Sequence, residues 1–398
     1  MNERASDSEK RYRWVILALL CGLYAAFGLI NRAMAPLVSP ILTDLQISYA
    51  QMGLILGAWQ VAYIIVSLIN GPIIDNWGIK KSLFSGTLIV ALSAILRYYP
   101  TGFFSMLLAV AVFGIGGPMI SIGGPKAIAV WFEDESRSTA IGIFMAGSIA
   151  GGLTALSLTN AVVMPLLDNS WRATFVCYGL FAFFVALLWL MFAKEKPFET
   201  DPEETGLLAV FKILLSIPKV RIILLMGLFS FGIFHGLGSW LPKILETGGL
   251  SPSLAGFAAA VPSISSIPSI IIIPRLVPVG RRAQAIIIFA LVTAGIVFVI
   301  TTMSGVTLLA GLILSGLFSA GFLPIMLLML MDTTEIGSRH MGSAGGMFFC
   351  VAEIGGVLGP LMMGALVDLT GSFFSGTIFL MSLALIVALL AWILSISN

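Results

Sequence analysis

The sequence predicts an all-α membrane protein of twelve transmembrane helices, arranged as two pseudo-symmetric six-helix halves. Three observations carry this. The chain is 59% apolar and only 10% charged, whereas soluble domains carry about 25% charged residues. Apolar runs of about 20 residues, the length that crosses a bilayer, follow one another from Trp14 to Trp392. Lys and Arg fall almost entirely in alternate connections, as the positive-inside rule requires of a polytopic chain.

Lipid offers no partner to backbone polar groups, so only helices and closed barrels span it. These runs are continuous, not the roughly 10-residue alternating segments of a barrel, and they therefore read as helices. The expected spans are 14–38, 51–73, 82–103, 104–130, 138–161, 171–193, 221–245, 252–274, 283–303, 305–331, 341–366 and 372–396. The first run is too long for a signal-peptide core, lacks a cleavage site, and reads as the first span. Cys21, Cys177 and Cys350 sit in apolar runs without paired spacing, so neither a disulfide framework nor a thiolate metal site is expected. A net charge of +2, with no basic blocks interleaved with aromatics, argues against nucleic acid as a partner.

An even count of spans puts both termini on one side. The basic residues of the termini-side connections, among them Arg11, Arg13, Lys80, Lys81, Arg137, Lys194, Lys219, Arg281 and Arg339, assign that side to the cytoplasm. Only Arg172 and Lys243 fall in the opposite loops. Missing one span in the middle would scramble this pattern, so the charges support the count independently. The expected location is a bacterial-type inner membrane.

The charged stretch 194–220, with Pro197, Pro202 and Pro218, reads as a linker between halves 1–193 and 221–398. The halves echo each other. Gly78-Ile79-Lys80-Lys81 recurs as Gly280-Arg281-Arg282, and Glu135 to Arg137 as Glu335 to Arg339. Duplicated halves related by an axis along the membrane normal suit alternating access around a site near the midplane.

The loop Gly71-Pro72-Ile73-Ile74-Asp75-Asn76-Trp77-Gly78-Ile79-Lys80-Lys81 resembles the signature loop of the major facilitator superfamily. Trp131-Phe132 through Arg137, Trp240-Leu241-Pro242-Lys243, Gly359-Pro360 through Gly364, and Asp368 to Gly371 resemble the cyanate/nitroimidazole permease group and, more loosely, other organic-anion porters. The resemblance covers nearly the whole chain. It implies a secondary transporter with the major facilitator fold, and a gating role for Asp75, Lys80 and Lys81 through pairing with neighbouring helix ends. A glutamate at Glu353 departs from what the subgroup leads one to expect.

A charge at the bilayer centre costs at least about 2.5 kcal/mol, so each one within a span is a functional candidate. Arg32 lies about 9 Å beyond the middle of the first span, with Tyr24 and Gly28 on its face. Its planar fork suits carboxylate or phosphate, and with Asn31 and Pro36 it resembles the first helix of organic-anion porters. The structural alternative is an arginine that snorkels to the interface or pairs internally. Lys126, after Gly123-Gly124-Pro125, reads as a second anion contact, a gate or a snorkelling lysine. Arg97 beside Tyr98-Tyr99 reads as a headgroup anchor or a packing residue, with substrate contact as the lesser alternative.

In the second half, His235 sits mid-span near the repeat equivalent of Arg32, and Glu353 is the one acid at a span centre. Histidine changes charge near neutral pH, and a carboxylate in apolar surroundings favours its neutral form. Both are candidates for proton coupling, and His235 for anion binding. Each is equally readable as a residue bonded between helices. Trp59 joins Tyr24 as an aromatic candidate for the substrate site. The glycines of spans five and eleven would permit close helix contact or simply pack.

The expected function is secondary active transport of a small organic or inorganic anion, a monocarboxylate among the options, with a proton as co-substrate. The alternative is export of drugs or neutral solutes. No His-Glu-x-x-His helix, Gly-x-Ser-x-Gly elbow or Walker loop occurs, so no catalytic residue, metal or cofactor is assigned. The expected partners are the anion, the proton and the lipid bilayer, with a monomer as the working unit.

Overall fold

The computed structural model describes residues 2–196, 207–333 and 335–396, and among these every regular element is helical. Among the described residues, twelve helices are long and apolar enough to cross a membrane. They are α1 (Arg11–Leu45), α2 (Tyr49–Asn70), α3 (Ile79–Leu96), α4 (Phe103–Trp131), α5 (Ser136–Leu166) and α6 (Trp171–Phe192). Then follow α7 (Pro218–Thr247), α8 (Pro252–Ile270), α9 (Val279–Thr302), α10 (Gly305–Met331), α11 (Ser343–Thr370) and α12 (Phe373–Ile396). A short linker helix, Leu207–Ser216, precedes α7. Pro197 and Pro202, read as linker residues, lie outside the described residues, as do the side chains of Glu135 and Arg339.

The chain forms two compact units, Met1–Gln46 with Ala58–Asp201, and Ile47–Gly57 with Pro202–Asn398. The first turns of α2 thus belong to the second unit and the rest of that helix to the first. Inside each unit the same partners meet: α1 packs on α5 and α3 on α6 in the first, α7 on α11 and α9 on α12 in the second.

Glycine makes the closest of these contacts possible. A Cβ at Gly151 would overlap the carbonyl oxygen of Ala25, and one at Gly355 that of Leu228. Likewise Gly114 lies on the backbone of Trp59, and Gly316 on that of Pro262. Without a hydrophobic drive between helices in lipid, such small residues let backbones approach. These pairs match at a spacing of just over 200 residues, and the spacing of 203 between Ala25 and Leu228 carries Arg32 onto His235.

Two spans of the first unit are irregular. In α1 the α-helix ends at Arg32, Ala35–Leu37 forms a 3-10 turn around Pro36, and the helix resumes at Val38–Leu45. In α5 a π-helical turn occupies Thr159–Val163. The two meet where Asn160 Nδ2 donates to the carbonyl of Pro36 at 3.0 Å. Irregular backbone at membrane depth persists only where protein or an aqueous cavity satisfies it.

Candidate functional site

In the first unit Arg32 occupies the last turn of the first helical segment of α1, where a cation complements the carbonyl end of the helix. Its stem lies on α5, since a Cβ at Gly152 would come within 3.1 Å of Arg32 Cγ. The side chain is half-buried. Beside it, Asn31 Nδ2 is buried with no hydrogen-bond partner. Tyr24, two turns back, stacks on Phe144 with ring centres 4.3 Å apart and on Phe27 at 5.4 Å. Trp59 meets Tyr63 and Phe113 edge-on, both at 5.8 Å. The Tyr63 hydroxyl is hydrogen-bonded to Ser121 at 2.8 Å.

Lys126 is placed differently from Arg32. It forms an ion pair with Asp75, which stands in the helical extension of α2 that runs on to Trp77, and both side chains are about a third exposed. The acid of the expected signature loop is thus matched to α4, not to Lys80 or Lys81, and that stretch is helical on both sides of Gly78. Gly78 alone breaks the helix, at φ +83°, a conformation that favours glycine. A Cβ there would lie 2.6 Å from Glu195 Oε1, and the Glu195 carboxylate accepts the backbone N–H of Lys80 at 3.2 Å. The Lys80 carbonyl accepts from Trp189 Nε1 at 2.9 Å, while Lys81 is exposed.

Arg97, just past the end of α3, faces the protein interior. It is 1% exposed, donates to the Ile30 carbonyl at 3.4 Å and to Ser93 Oγ at 3.3 Å, and lies over the ring of Phe175 at 4.9 Å. It is a packing residue that takes up a carbonyl of α1 just before the helix breaks.

In the second unit the close contact of α7 with α11 brings together two residues that were singled out separately. His235 Nε2 is 3.9 Å from Glu353 Oε2, with side chains 15% and 11% exposed. Phe231 and Phe234 flank the imidazole, with ring centres 5.7 Å and 5.1 Å away. Glu353 is therefore not a lone carboxylate. The imidazole and the carboxylate thus face each other at ion-pair distance, a pair in which both are charged only when the histidine is protonated.

Sequence reasoning passed over Asn160, Glu195 and the pairing role of Asp368. Asp368 was noted only as part of a family-like motif, and its carboxylate accepts the backbone N–H groups of Tyr49 and Ala50. Also unremarked was Asp44, which pairs with Arg172 and accepts from Trp171 Nε1 at 3.1 Å. A carboxylate next to a helix end was the available signal in the cases of Asp44 and Asp368.

Comparison with known proteins agrees with this architecture. The family described as Major Facilitator Superfamily matches residues 20–302. A "Hexuronate transporter" of Bacillus subtilis (strain 168) is 26% identical over 383 residues, covering 90% of this chain and 89% of its own. A "Probable galactarate/D-glucarate transporter" of Escherichia coli (strain K12) is 23% identical, covering 95% and 93%. Among solved structures, a bacterial homolog of the human lysosomal transporter Spinster superposes with a TM-score of 0.77 at 19% identity, over 96% of this chain and 97% of the other. That likeness speaks to the fold alone. The narrower likeness to cyanate/nitroimidazole permeases gains no specific support from these relatives.

Proposed function

Because this chain belongs to the Major Facilitator Superfamily, we propose that it carries a small organic carboxylate across the membrane by alternating access, with Arg32 as the anion contact. Membership makes it a multi-pass membrane transporter and not an enzyme. The substrate class, the proton that drives it and the residues that bind it are the finer parts of this reading.

One observation carries it: a half-buried arginine at a helix break inside α1, in a unit whose acids lie toward the ends of its spans. Asp44 is matched to Arg172 and Asp75 to Lys126. The interior of this unit is cationic by sequence, and a low-dielectric wall strengthens such a field toward anions. The substrates in the relatives' names, hexuronate, galactarate and D-glucarate, are all polyhydroxylated carboxylates. Arg32 suits the carboxylate of such a compound, and Asn31 and Asn160 its hydroxyls. Tyr24 and Trp59 supply the apolar walls.

The halves 1–193 and 221–398, joined through 194–220, are the moving bodies in this reading, with both termini cytoplasmic and the monomer sufficient. Asp75, Lys80 and Lys81 act at the gate, and Lys126 joins them there through Asp75.

Uptake of labelled D-galacturonate, D-glucarate and lactate into proteoliposomes tests the reading, comparing wild type with Arg32→Ala and Arg32→Lys. Saturable uptake that Arg32→Ala abolishes, with Arg32→Lys retaining a fraction at raised KM, is expected. Uptake of neutral or cationic compounds only, indifferent to Arg32, would sink it.

A further inference from the structure

We infer that His235 and Glu353 form a single proton-binding site, and that this dyad couples transport to the proton gradient. The inference rests on the anion-porter reading for what is coupled, but the proton site stands on its own geometry.

Both side chains lie deep in their spans. His235 is about 25 Å from the start of α7 and about 18 Å from its end, at 1.5 Å per residue. They come from adjacent helices held together by backbone-to-glycine contacts at Gly355 and Gly359, which fix the register between α7 and α11. Phe231 and Phe234 flank the imidazole, and both side chains of the pair are largely buried.

The other titratable groups of the surrounding elements lie far away along their helices. On α7 they are Lys219, Arg221, Lys243 and Glu246, the nearest of which, Lys243, is eight residues from His235. On α11 Cys350 lies one turn from Glu353, while Arg339 and His340 before that span and Asp368 near its end are 13 or more residues off. α12 and α10 carry none within their bounds, and Arg275 is in the last turn of the helix that continues α8 to Leu276. Arg282, near the start of α9, is paired with Asp332. Lys212 belongs to the linker helix. Within the core of this unit, the dyad and Cys350 are the titratable groups among the described residues.

The charge states follow directly. Empty, the pair carries one negative charge; with one proton it is neutral, whether the proton sits on the imidazole or on the carboxyl. A second proton makes it positive. A net charge in a low-dielectric interior is costly, which favours the singly protonated, neutral state over both the empty and the doubly protonated ones. An anion entering the protein interior is repelled by the empty pair and not by the filled one. Anion binding therefore favours proton binding, and the effect is reciprocal. One proton per anion, moving in the same direction, is the result.

Two measurements test this. In proteoliposomes, Glu353→Gln mimics the filled state permanently. Exchange of labelled D-galacturonate against the unlabelled compound should persist without pH dependence, while accumulation driven by an inside-alkaline gradient is lost. His235→Asn should also lose accumulation, and Cys350→Ser should keep it. Accumulation retained by Glu353→Gln overturns the dyad while leaving the anion reading intact.

The second readout needs no substrate. Infrared difference spectra across a pH jump on the purified protein should show a carboxyl and an imidazole signal titrating with one shared midpoint, and Glu353→Gln should remove the first and move the second. Independent midpoints, or an imidazole signal unmoved by Glu353→Gln, overturn the inference. If wild type fails to exchange any carboxylate, the anion reading falls and the spectra alone decide the proton site.

Discussion

The carboxylate of Asp368, at the far end of α11, caps the first turn of the helix that starts at Tyr49: its two oxygens take the backbone N–H of Tyr49 at 2.9 Å and of Ala50 at 2.8 Å. Residues 319 positions apart are thereby joined. A helix start leaves N–H groups without partners, and a carboxylate supplies both charge and acceptors. Close backbone contacts continue the seam, with Gly364 against Tyr49 and Gly53 against Pro360. The Tyr49 ring meets Trp240 and Phe373 at 5.8 Å and 5.7 Å.

Asp368→Ala should therefore lower stability by about 1–2 kcal/mol, the usual loss for an N-cap carboxylate. Asp368→Asn, which keeps an acceptor but not the charge, should lose less. Thermal unfolding of the detergent-purified protein checks this. Equal melting temperatures for all three would show that the cap is energetically silent.

The glycines of α5 and α11 differ sharply in what surrounds them. Gly355 and Gly359 have no room for a Cβ, whereas nothing lies within 4 Å of one at Gly345 or Gly346. Gly355→Val should cost about 3 kcal/mol or prevent folding, because overpacking at a backbone contact cannot relax by side-chain movement. Gly151→Val should behave alike by repeat equivalence, and Gly346→Ala should be neutral. Monodispersity on size-exclusion chromatography with a thermal melt separates these outcomes.

Hydropathy alone disclosed the number of helices, because bilayer thickness imposes a length that composition must meet in each run. The glycines were visible but undifferentiated. Which of them touch backbone depends on helix rotation, and continuous apolar runs carry little record of rotation. The break in α1 was signalled by Pro36, but the π turn of α5 was not, since it is held by the bond from Asn160 to a distant carbonyl. Arg32, His235 and Glu353 stood out because charge is rare inside a span. That two of them lie side by side follows from the packing of α7 on α11, which neither segment states by itself.

Lys126 illustrates the same limit. It stood out as a charge in α4, and only the fold shows it paired with Asp75. With both side chains about a third exposed, the pair is worth at most about 1 kcal/mol in stability. Its effect should appear in transport. Lys126→Asp and Asp75→Lys should each reduce uptake, and the double swap should recover much of it. Were Lys126 a substrate contact, the swap would place an acid where the anion binds, and no recovery would occur.

Arg97 separates a structural from a ligand-binding charge. Its guanidinium is enclosed by Ile30, Ser93, Phe113 and Phe175, with donors spent on a carbonyl and a hydroxyl. Arg97→Ala removes a large buried side chain and leaves a cavity, a loss of about 2–5 kcal/mol. Arg97→Met keeps most of the volume and avoids burying a charge, so it should be far better tolerated. KM for the transported anion should be unchanged in Arg97→Met, while Arg32→Met, with the same change of side chain, should abolish saturable uptake. Equal loss of uptake in both methionine variants at normal stability would assign Arg97 to the substrate path, and would remove the distinction that burial draws between these two arginines.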